Sequence, residues 1–577
     1  MGKTNNNVQN PLIKPNVHRL SFANLFALYF ILSLGTYLAF TGGNNLSQYP
    51  ITVTTFVFTV VACLFINFFY VNTIFNKGFA AVKYLSIIGV FVVYIVTFCS
   101  INEHLSHISD LYISMVIFLF GALIYIYYLK KLDKLQTIHI LIFIALTGAM
   151  VRIFFSFGIP WTANQHDISG VYSHTDVIKY IAMHLKLNDS TNQWQFSHPQ
   201  VHYIIYAVFY RFFYEILKSR PDHINYIFEL LEIVAVFFSV ISIIIAKRIL
   251  SFFNLSNKAL ILGVAFFTFF PSNILMSRYL NNDSTLVFFT ILTLYQALKW
   301  YQNRSLKSLI FTALFASLTV STKSSGIIVL AVIGFLFLGA FIKLKTSKER
   351  IHYGSQLGIF ALVYLPIPAY LFGRMMILFK EPFGYVNNPG GMPAATGLLD
   401  RFYFPLDTFS NPFAIYPFDN NIATKLIYPE YVLKTSLFGE FAYNSQMQFI
   451  GRTLLFLAYI LLAICLVYGI KHFTKKFSEW PKLYFIVAGV LIPIIAHICM
   501  CIKMPFACSY NYRYLAPFFV ICAIILAKAM DHYINKNSTI KYVSVISLIA
   551  FLVVSVIVMF WIPYSNLLQD VSVLVPY

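Results

Sequence analysis

Charge is what this sequence has little of: 11% of its 577 residues are Asp, Glu, Lys or Arg, against 59% hydrophobic and 18% aromatic. No soluble core needs so much apolar sequence, so the soluble globular class is excluded and a polytopic membrane protein is left. Acid is the scarcer sign. With 41 Lys and Arg against 21 Asp and Glu, the formal net charge is +20. In a membrane chain such an excess marks cytoplasmic loops, so it sets orientation and does not point to nucleic acid as a partner. The first apolar run, "LSFANLFALYFILSLGTYLAF" from Leu20, lacks a small-residue cleavage site and reads as an uncleaved span. Cysteine is sparse as well. Of seven, Cys63, Cys99, Cys465, Cys499 and Cys522 lie in apolar runs as small hydrophobes, while Cys501 and Cys508 flank a short loop where pairing is an open alternative. Internal repeats and inverted symmetry of the transporter kind are also lacking.

What is present is a succession of runs long enough to cross the hydrocarbon layer. They predict an all-α polytopic membrane protein with about fifteen transmembrane helices, four of them near 20–41, 51–73, 84–100 and 111–129 and the rest between 136–157 and 541–562. The organisation that follows is four N-terminal helices within 1–135, a helical module over 136–373, a segment 374–448 rich in Pro, Gly and aromatics, and C-terminal helices over 449–577. Basic clusters fall on alternate loops: Lys130, Lys131 and Lys134; Lys247, Arg248 and Lys258; Lys343, Lys345, Lys348 and Arg350; Lys471, Lys475, Lys476 and Lys482. Opposite loops such as "TGGNNLSQYP" and "INEHLSHISD" carry neither Lys nor Arg. The N-terminus is therefore expected on the cytoplasmic side of the plasma membrane, and the segments 158–222 and 374–448 on the extracytoplasmic side.

One segment decides whether this orientation holds. A crossing by "VHYIIYAVFYRFFYEILKSR", from Val201, would put the later basic clusters outside. Its pattern argues against crossing. Tyr203, Tyr206, Tyr210 and Tyr214 recur at helical spacing beside Arg211, Glu215 and Lys218, while Ile204, Ile205, Val208, Phe209, Phe212, Phe213 and Ile216 fill the other face. Such a helix lies in the interface plane, so 201–217 is predicted to be a juxtamembrane helix within one long outer segment, 158–222.

That topology brings polar groups distant in sequence to one membrane depth. They are His166, Asp167 and Asp176, then His198, then Asn281, Asn282 and Asp283 in "RYLNNDS", then Lys323 in "STKSSG", Glu440 in "KTSLFGEF", and Arg513 and Tyr514 in "NYRYLAP". Each has a plainer reading alone: Arg152 and Lys323 snorkel, and "NND" caps the next span. Together they indicate a shared cavity, because polar groups at membrane depth tend to line one. A carboxylate beside fixed cations suits one chemistry. Asp167, with Asp176 in reserve, accepts a proton from an acceptor hydroxyl, and Lys323 and Arg513 stabilise charge on a phosphate leaving group. His166, His174 and His198 together with Asp167 and Asp176 are able to ligate a metal, but HExxH and CxxC spacings are absent; a divalent ion is the lesser reading and no cofactor is expected. Glu229 and Glu232 either shape the cavity or, as the preferred reading, answer the dipole of a helix N-terminus.

Five fragments in order carry a resemblance. "VRIFF" leads to an outer loop bearing "QHD"; "SHPQVHYIIYAVFYRFF" is similar to a His-Pro-Pro-Leu-Tyr-Tyr segment; "RYLNNDSTLVFF" to Asn-Asp-x-Leu; "ASLTVSTKSSGIIVL" to Leu-x-x-x-Thr-Lys-x-x-Gly; and "NYRYLAP" to Arg-Tyr-Leu-x-Pro. The chain thus resembles the GT-C glycosyltransferases, particularly bacterial members similar to protein O-mannosyltransferases and aminoarabinose transferases, over roughly 136–350 and more loosely to 517. The resemblance implies the GT-C fold and the inverting transfer of a hexosyl or pentosyl group from a polyprenyl-phosphate sugar to an extracytoplasmic acceptor. It also implies the first-loop carboxylate, Asp167, as base, with Asp283 lining the site and Lys323 and Arg513 meeting phosphate. The loop departs from the pattern, with His-Asp where many members have Asp-Glu and Pro-Gln for Pro-Pro, and residues up to about 135 lie outside the match. The competing readings are a transporter or flippase for lipid-linked saccharides, which predicts repeats and short outer loops, and a polymerase of such saccharides, which lacks this order of motifs.

Overall fold

A computed structural model describes residues 129–380 with short breaks inside 158–222, then 427–439, 448–473, 480–535 apart from 506, and 539–568, with a few isolated positions besides. Predicted spans before residue 129 and most of the 374–448 segment lie outside these residues, as do His166 and Glu440. The chain divides into two compact units, 1–135 and 136–577. Of the first, the described residues include a helical end at Leu129 and a turn in which Asp133 has a positive φ of 53°. Everything below concerns the second.

Among the described residues the second unit is built of helices without strands, as unbroken apolar runs demand when backbone groups have no water to bond. In order they are α1 (Thr137–Phe157), α2 (His174–His184), α3 (Val201–Leu217), α4 (His223–Leu250), α5 (Asn257–Phe269), α6 (Pro271–Leu275), α7 (Asn282–Asn303), α8 (Leu306–Thr322), α9 (Ile328–Ile342), α10 (Ser347–Tyr364), α11 (Pro366–Phe379), α12 (Tyr428–Phe438), α13 (Gln448–Phe473), α14 (Trp480–Lys503), α15 (Phe519–Ile534) and α16 (Thr539–Leu568). Among the described residues, six helical stretches are long and apolar enough to cross a membrane, or eight if each of two bent pairs is one span. Both bends have a local cause. Pro271 and Pro366 cannot supply the N–H that would continue α5 and α10, and the axes turn by 55° and 49° there. The spans expected at 259–277 and 354–373 are thus each broken in two.

Polarity sorts the helices by depth. α9, α11, α13 and α16 present large apolar side chains outward, including Ile342, Ile377, Phe449 and Ile546, as lipid-facing helices do. α4, α7, α8 and α15 are enclosed. α7 packs on α8 and α4 through small polar residues that allow close approach, with Thr293 and Thr319 hydroxyls 3.3 Å apart. Gly263 does the same between α5 and α15, where a Cβ would fall 2.7 Å from that of Ala527. Arg152 on α1 does not snorkel. It is fully buried, with Nε donating to Ser239 Oγ at 2.8 Å and a terminal nitrogen to the Gly148 carbonyl at 3.0 Å.

The helix at 201–217 is present as α3, and it is not among the helices apolar and long enough to cross. Its two faces are used inside out relative to a soluble protein. Tyr203, Tyr206 and Tyr210 are buried against the protein, whereas Ile204 and Val208 are exposed, Val208 by 66%. A face of that kind suits lipid. No disulfide joins Cys501 and Cys508, so the pairing considered for them is absent.

Candidate active site

The site is assembled where helices begin or break. α8 ends at Thr322, and Lys323 adopts an extended backbone before a 3-10 turn, Ser324–Ile327, that leads into α9. The turn needs glycine at Gly326: a Cβ there would meet the Thr319 carbonyl oxygen at 2.5 Å, so the chain doubles back closely only without a side chain. The fold-back points Lys323 at the start of α7. There Asn281 is the N-cap, accepting from the Asp283 N–H at 3.0 Å, so capping is part of the "NND" role. Asp283 itself is buried and accepts from Lys323 Nζ at 2.5 Å, with Arg513 Nε 3.9 Å from its other oxygen.

Arg513 arrives from a separate element. It sits in the 3-10 turn Tyr512–Tyr514, where Asn511 Oδ1 caps the Arg513 N–H at 2.8 Å. Tyr512 N–H donates to Thr435 Oγ1 at 2.9 Å, which pins this turn on α12. Both cations also lie over the Tyr514 ring, with its centroid 4.8 Å from Lys323 Nζ and 5.3 Å from the Arg513 guanidinium carbon. A π face at that distance holds cations without neutralising them.

Asp167 lies on the loop before α2 with a positive φ of 49°, a conformation that a non-glycine residue holds only when its surroundings impose it. Its carbonyl accepts the His174 N–H at 2.9 Å, and its carboxylate accepts from Gln195 Nε2 at 3.0 Å while staying exposed. The fields of Asp167, Asp283 and Arg513 all act on Lys323, which places the two acids and two cations in one electrostatic cluster. Asp176 is in the first turn of α2, over its N-cap Ser173, a position where the helix dipole already accounts for a carboxylate.

Aromatic and imidazole groups back the cluster. His174 Nδ1 shares a 2.8 Å hydrogen bond with the Tyr203 hydroxyl, and its ring lies parallel to that of His198 with centroids 6.2 Å apart. Burial, with Lys323 the next cause, pushes the His198 imidazole down to about 4; burial and then His198 hold His174 well below the usual range. Both rings are neutral near pH 7. The Tyr203 hydroxyl is held well above its ordinary range by burial, with Asp283 and Asp167 adding to it.

A second network lies alongside. Glu232 Oε1 accepts from Arg278 at 2.6 Å and from Gln165 Nε2 at 2.9 Å, and Oε2 accepts from Ser156 at 2.9 Å. Arg278 also donates to the carbonyls of Ile159 and Pro160 at 3.0 and 2.7 Å. Glu232 is therefore a buried structural partner, which corrects its assignment to the dipole of the α4 N-terminus.

Of the residues expected from sequence, Asp283, Lys323, Arg513 and Tyr514 come together directly. Asp167 and His198 join them electrostatically, and Asn282 is buried in the first turn of α7. His166 and Glu440 are not described. Gln165, Gln195, His202 and the Glu232–Arg278 pair were not expected in these places. Gln165, His202 and Arg278 stand inside the quoted fragments without a role assigned from sequence, whereas Gln195 has no motif to announce it. Among the described residues, no three His, Cys, Asp or Glu side chains converge as metal ligands.

Fold and site define a polytopic all-α membrane protein with a cluster of acids and cations where its helices begin or break. Residues 195–379 match the model of the family dolichyl-phosphate-mannose-protein mannosyltransferase, a GT-C family. The matched segment carries Asp283 and Lys323, and the match supports a membrane glycosyltransferase that uses a lipid-linked sugar donor. No curated protein matches the chain significantly.

Proposed function

We propose that the chain transfers one sugar from a polyprenyl-phosphate donor to a hydroxyl of an extracytoplasmic acceptor, a cell-envelope polysaccharide, glycolipid or protein, with inversion at the anomeric carbon. The observation that carries this reading is an exposed carboxylate, Asp167, whose field reaches Lys323, together with a second cation, Arg513, both cations lying against the Tyr514 ring and Asp283.

The chemistry follows from those groups. Asp167 takes the proton of the acceptor hydroxyl as its oxygen attacks the anomeric carbon. The bond from that carbon to the phosphate oxygen breaks, and its electron pair leaves with the phosphate. Lys323 and Arg513 stabilise the charge that develops there, and because Asp283 and Tyr514 already hold them, little reorganisation is required. A single displacement inverts the carbon. The alternation of basic loops supports an extracytoplasmic site, since the Asp283 end of α7 is opposite the end that carries Lys299 and Arg304. The exposed apolar face of α3 gives the prenyl chain a lipid-side approach. The reading invokes no metal.

The test is purified protein in nanodiscs with a panel of polyprenyl-phosphate sugars and envelope acceptors. Release of the lipid monophosphate, with a glycoside of inverted anomeric configuration by NMR, is expected. Movement of intact donor across the bilayer without release of lipid phosphate would instead mark a flippase.

A further inference from the structure

The backbone of one residue, Leu280, is gripped from both sides between the two halves of the site. The Leu280 N–H donates to Gln165 Oε1 at 2.8 Å, and the Leu280 carbonyl lies 2.8 Å from His202 Nε2. All three residues are buried. A carbonyl only accepts, so Nε2 carries the His202 proton, and Nδ1 is left to accept from the Thr285 hydroxyl at 2.8 Å. The Gln165 amide is oriented just as firmly. Its oxygen faces an N–H, and its nitrogen faces the Trp161 carbonyl and Glu232 Oε1, each at 2.9 Å. Gln165 precedes Asp167 by two residues, and Leu280 precedes Asp283 by three.

We propose that Gln165 and His202 are positioning residues: by clamping the Leu280 backbone through the peptide groups on either side of it, they set the separation between the Asp167 carboxylate and the Asp283–Lys323–Arg513 cluster. The loop before α2 has no helix of its own to fix it, and Asp167 holds a left-handed backbone conformation. Gln165 is the link from that loop to the turn that starts α7, and His202 joins the same turn to α3. Neither need touch substrate. Both act on the distance between the group that takes the proton and the groups that receive the leaving phosphate, to which a transfer is steeply sensitive.

The inference rests on the transferase reading, and the experiment separates the two. Lipid-phosphate release is measured for the wild type, Gln165→Met, His202→Phe and His202→Gln, with hydrogen exchange at the Leu280 amide followed in the same preparations. In Gln165→Met the exchange should quicken and kcat fall by roughly 10- to 100-fold, with the KM for donor unchanged. His202→Phe should lower kcat similarly, and His202→Gln, which still donates to the Leu280 carbonyl, should restore much of it; this pair decides the matter if Gln165→Met does not fold. Faster exchange at Leu280 with kcat at the wild-type value would overturn the clamp alone, as would a rise in donor KM as the sole kinetic change. A wild type that releases no lipid phosphate from any polyprenyl-phosphate sugar would overturn the transferase reading and the clamp with it.

Discussion

Arg278 and Asp283 stand five residues apart on one turn, and each enters a buried ion pair, yet the two pairs are closed to different degrees. Arg278 and Glu232 are 1% and 2% exposed, and Glu232 gathers donors from Ser156, Gln165 and Arg278. Lys323 keeps 12% exposure beside Asp283, and Arg513 reaches only to 3.9 Å with its guanidinium over a tyrosine ring. The first arrangement has no use for another anion. The second gathers Lys323 and Arg513 around Asp283 in a less enclosed position, where an arriving phosphate can meet both cations. Closure from solvent thus marks the scaffold pair, and partial exposure of the cation marks the site.

Breaking each pair in turn sharpens that contrast. The largest effect is expected from Glu232→Ala, which leaves the Arg278 charge buried and unpaired at a cost of about 3–5 kcal/mol; a fluorescence melt in detergent should show a steep loss of thermal midpoint or no folded protein. Lys323→Gln should behave oppositely. It still donates to Asp283, so the melt should change little, while kcat/KM for donor falls by about 10²–10³-fold.

Acid provides a milder break. His198 and His174 are held below their ordinary range in the folded state and take up protons near 6.5 once unfolded, so the unfolded chain binds more protons as the pH falls. The stability they contribute is complete above about pH 6.5 and is lost towards the folded-state value of about 4 for His198. The thermal midpoint should therefore fall between those limits, and by less in His198→Gln. The smallest perturbation tests which side of the membrane the contrast lies on. A cysteine at Ser219, just after α3, should react with an impermeant thiol reagent applied outside intact cells; reaction only after lysis would reverse the topology.

Much of this was legible because charge is rare. In so apolar a chain every acid and cation needs a reason, and Asp167, Asp283, Lys323 and Arg513 stand out once the loop charges place them at one membrane depth and the motif order gives them roles. Helices followed from apolar runs for the same reason. Pro271 and Pro366 were visible as well, but hydropathy runs straight through both, so single spans were expected where the axis bends. Gln165 and Gln195 were not legible. An uncharged amide in a polar loop gains a role only from partners supplied by the fold, as Leu280 lies 115 residues from Gln165. Glu232 was misassigned for a related reason, since its position in the outer half of a helix is visible in the sequence and its partnership with Arg278 is not.

The central claim is that Asp167 takes the acceptor proton. Release of lipid phosphate by Asp167→Asn and Asp176→Asn, compared with wild type in matched nanodiscs, tests it most directly. Asp167→Asn should fold normally and lose at least about 10²–10⁴-fold in kcat, the usual worth of a general base, while Asp176→Asn keeps most of its turnover. Intact turnover in Asp167→Asn, with the loss appearing in Asp176→Asn, would contradict the account.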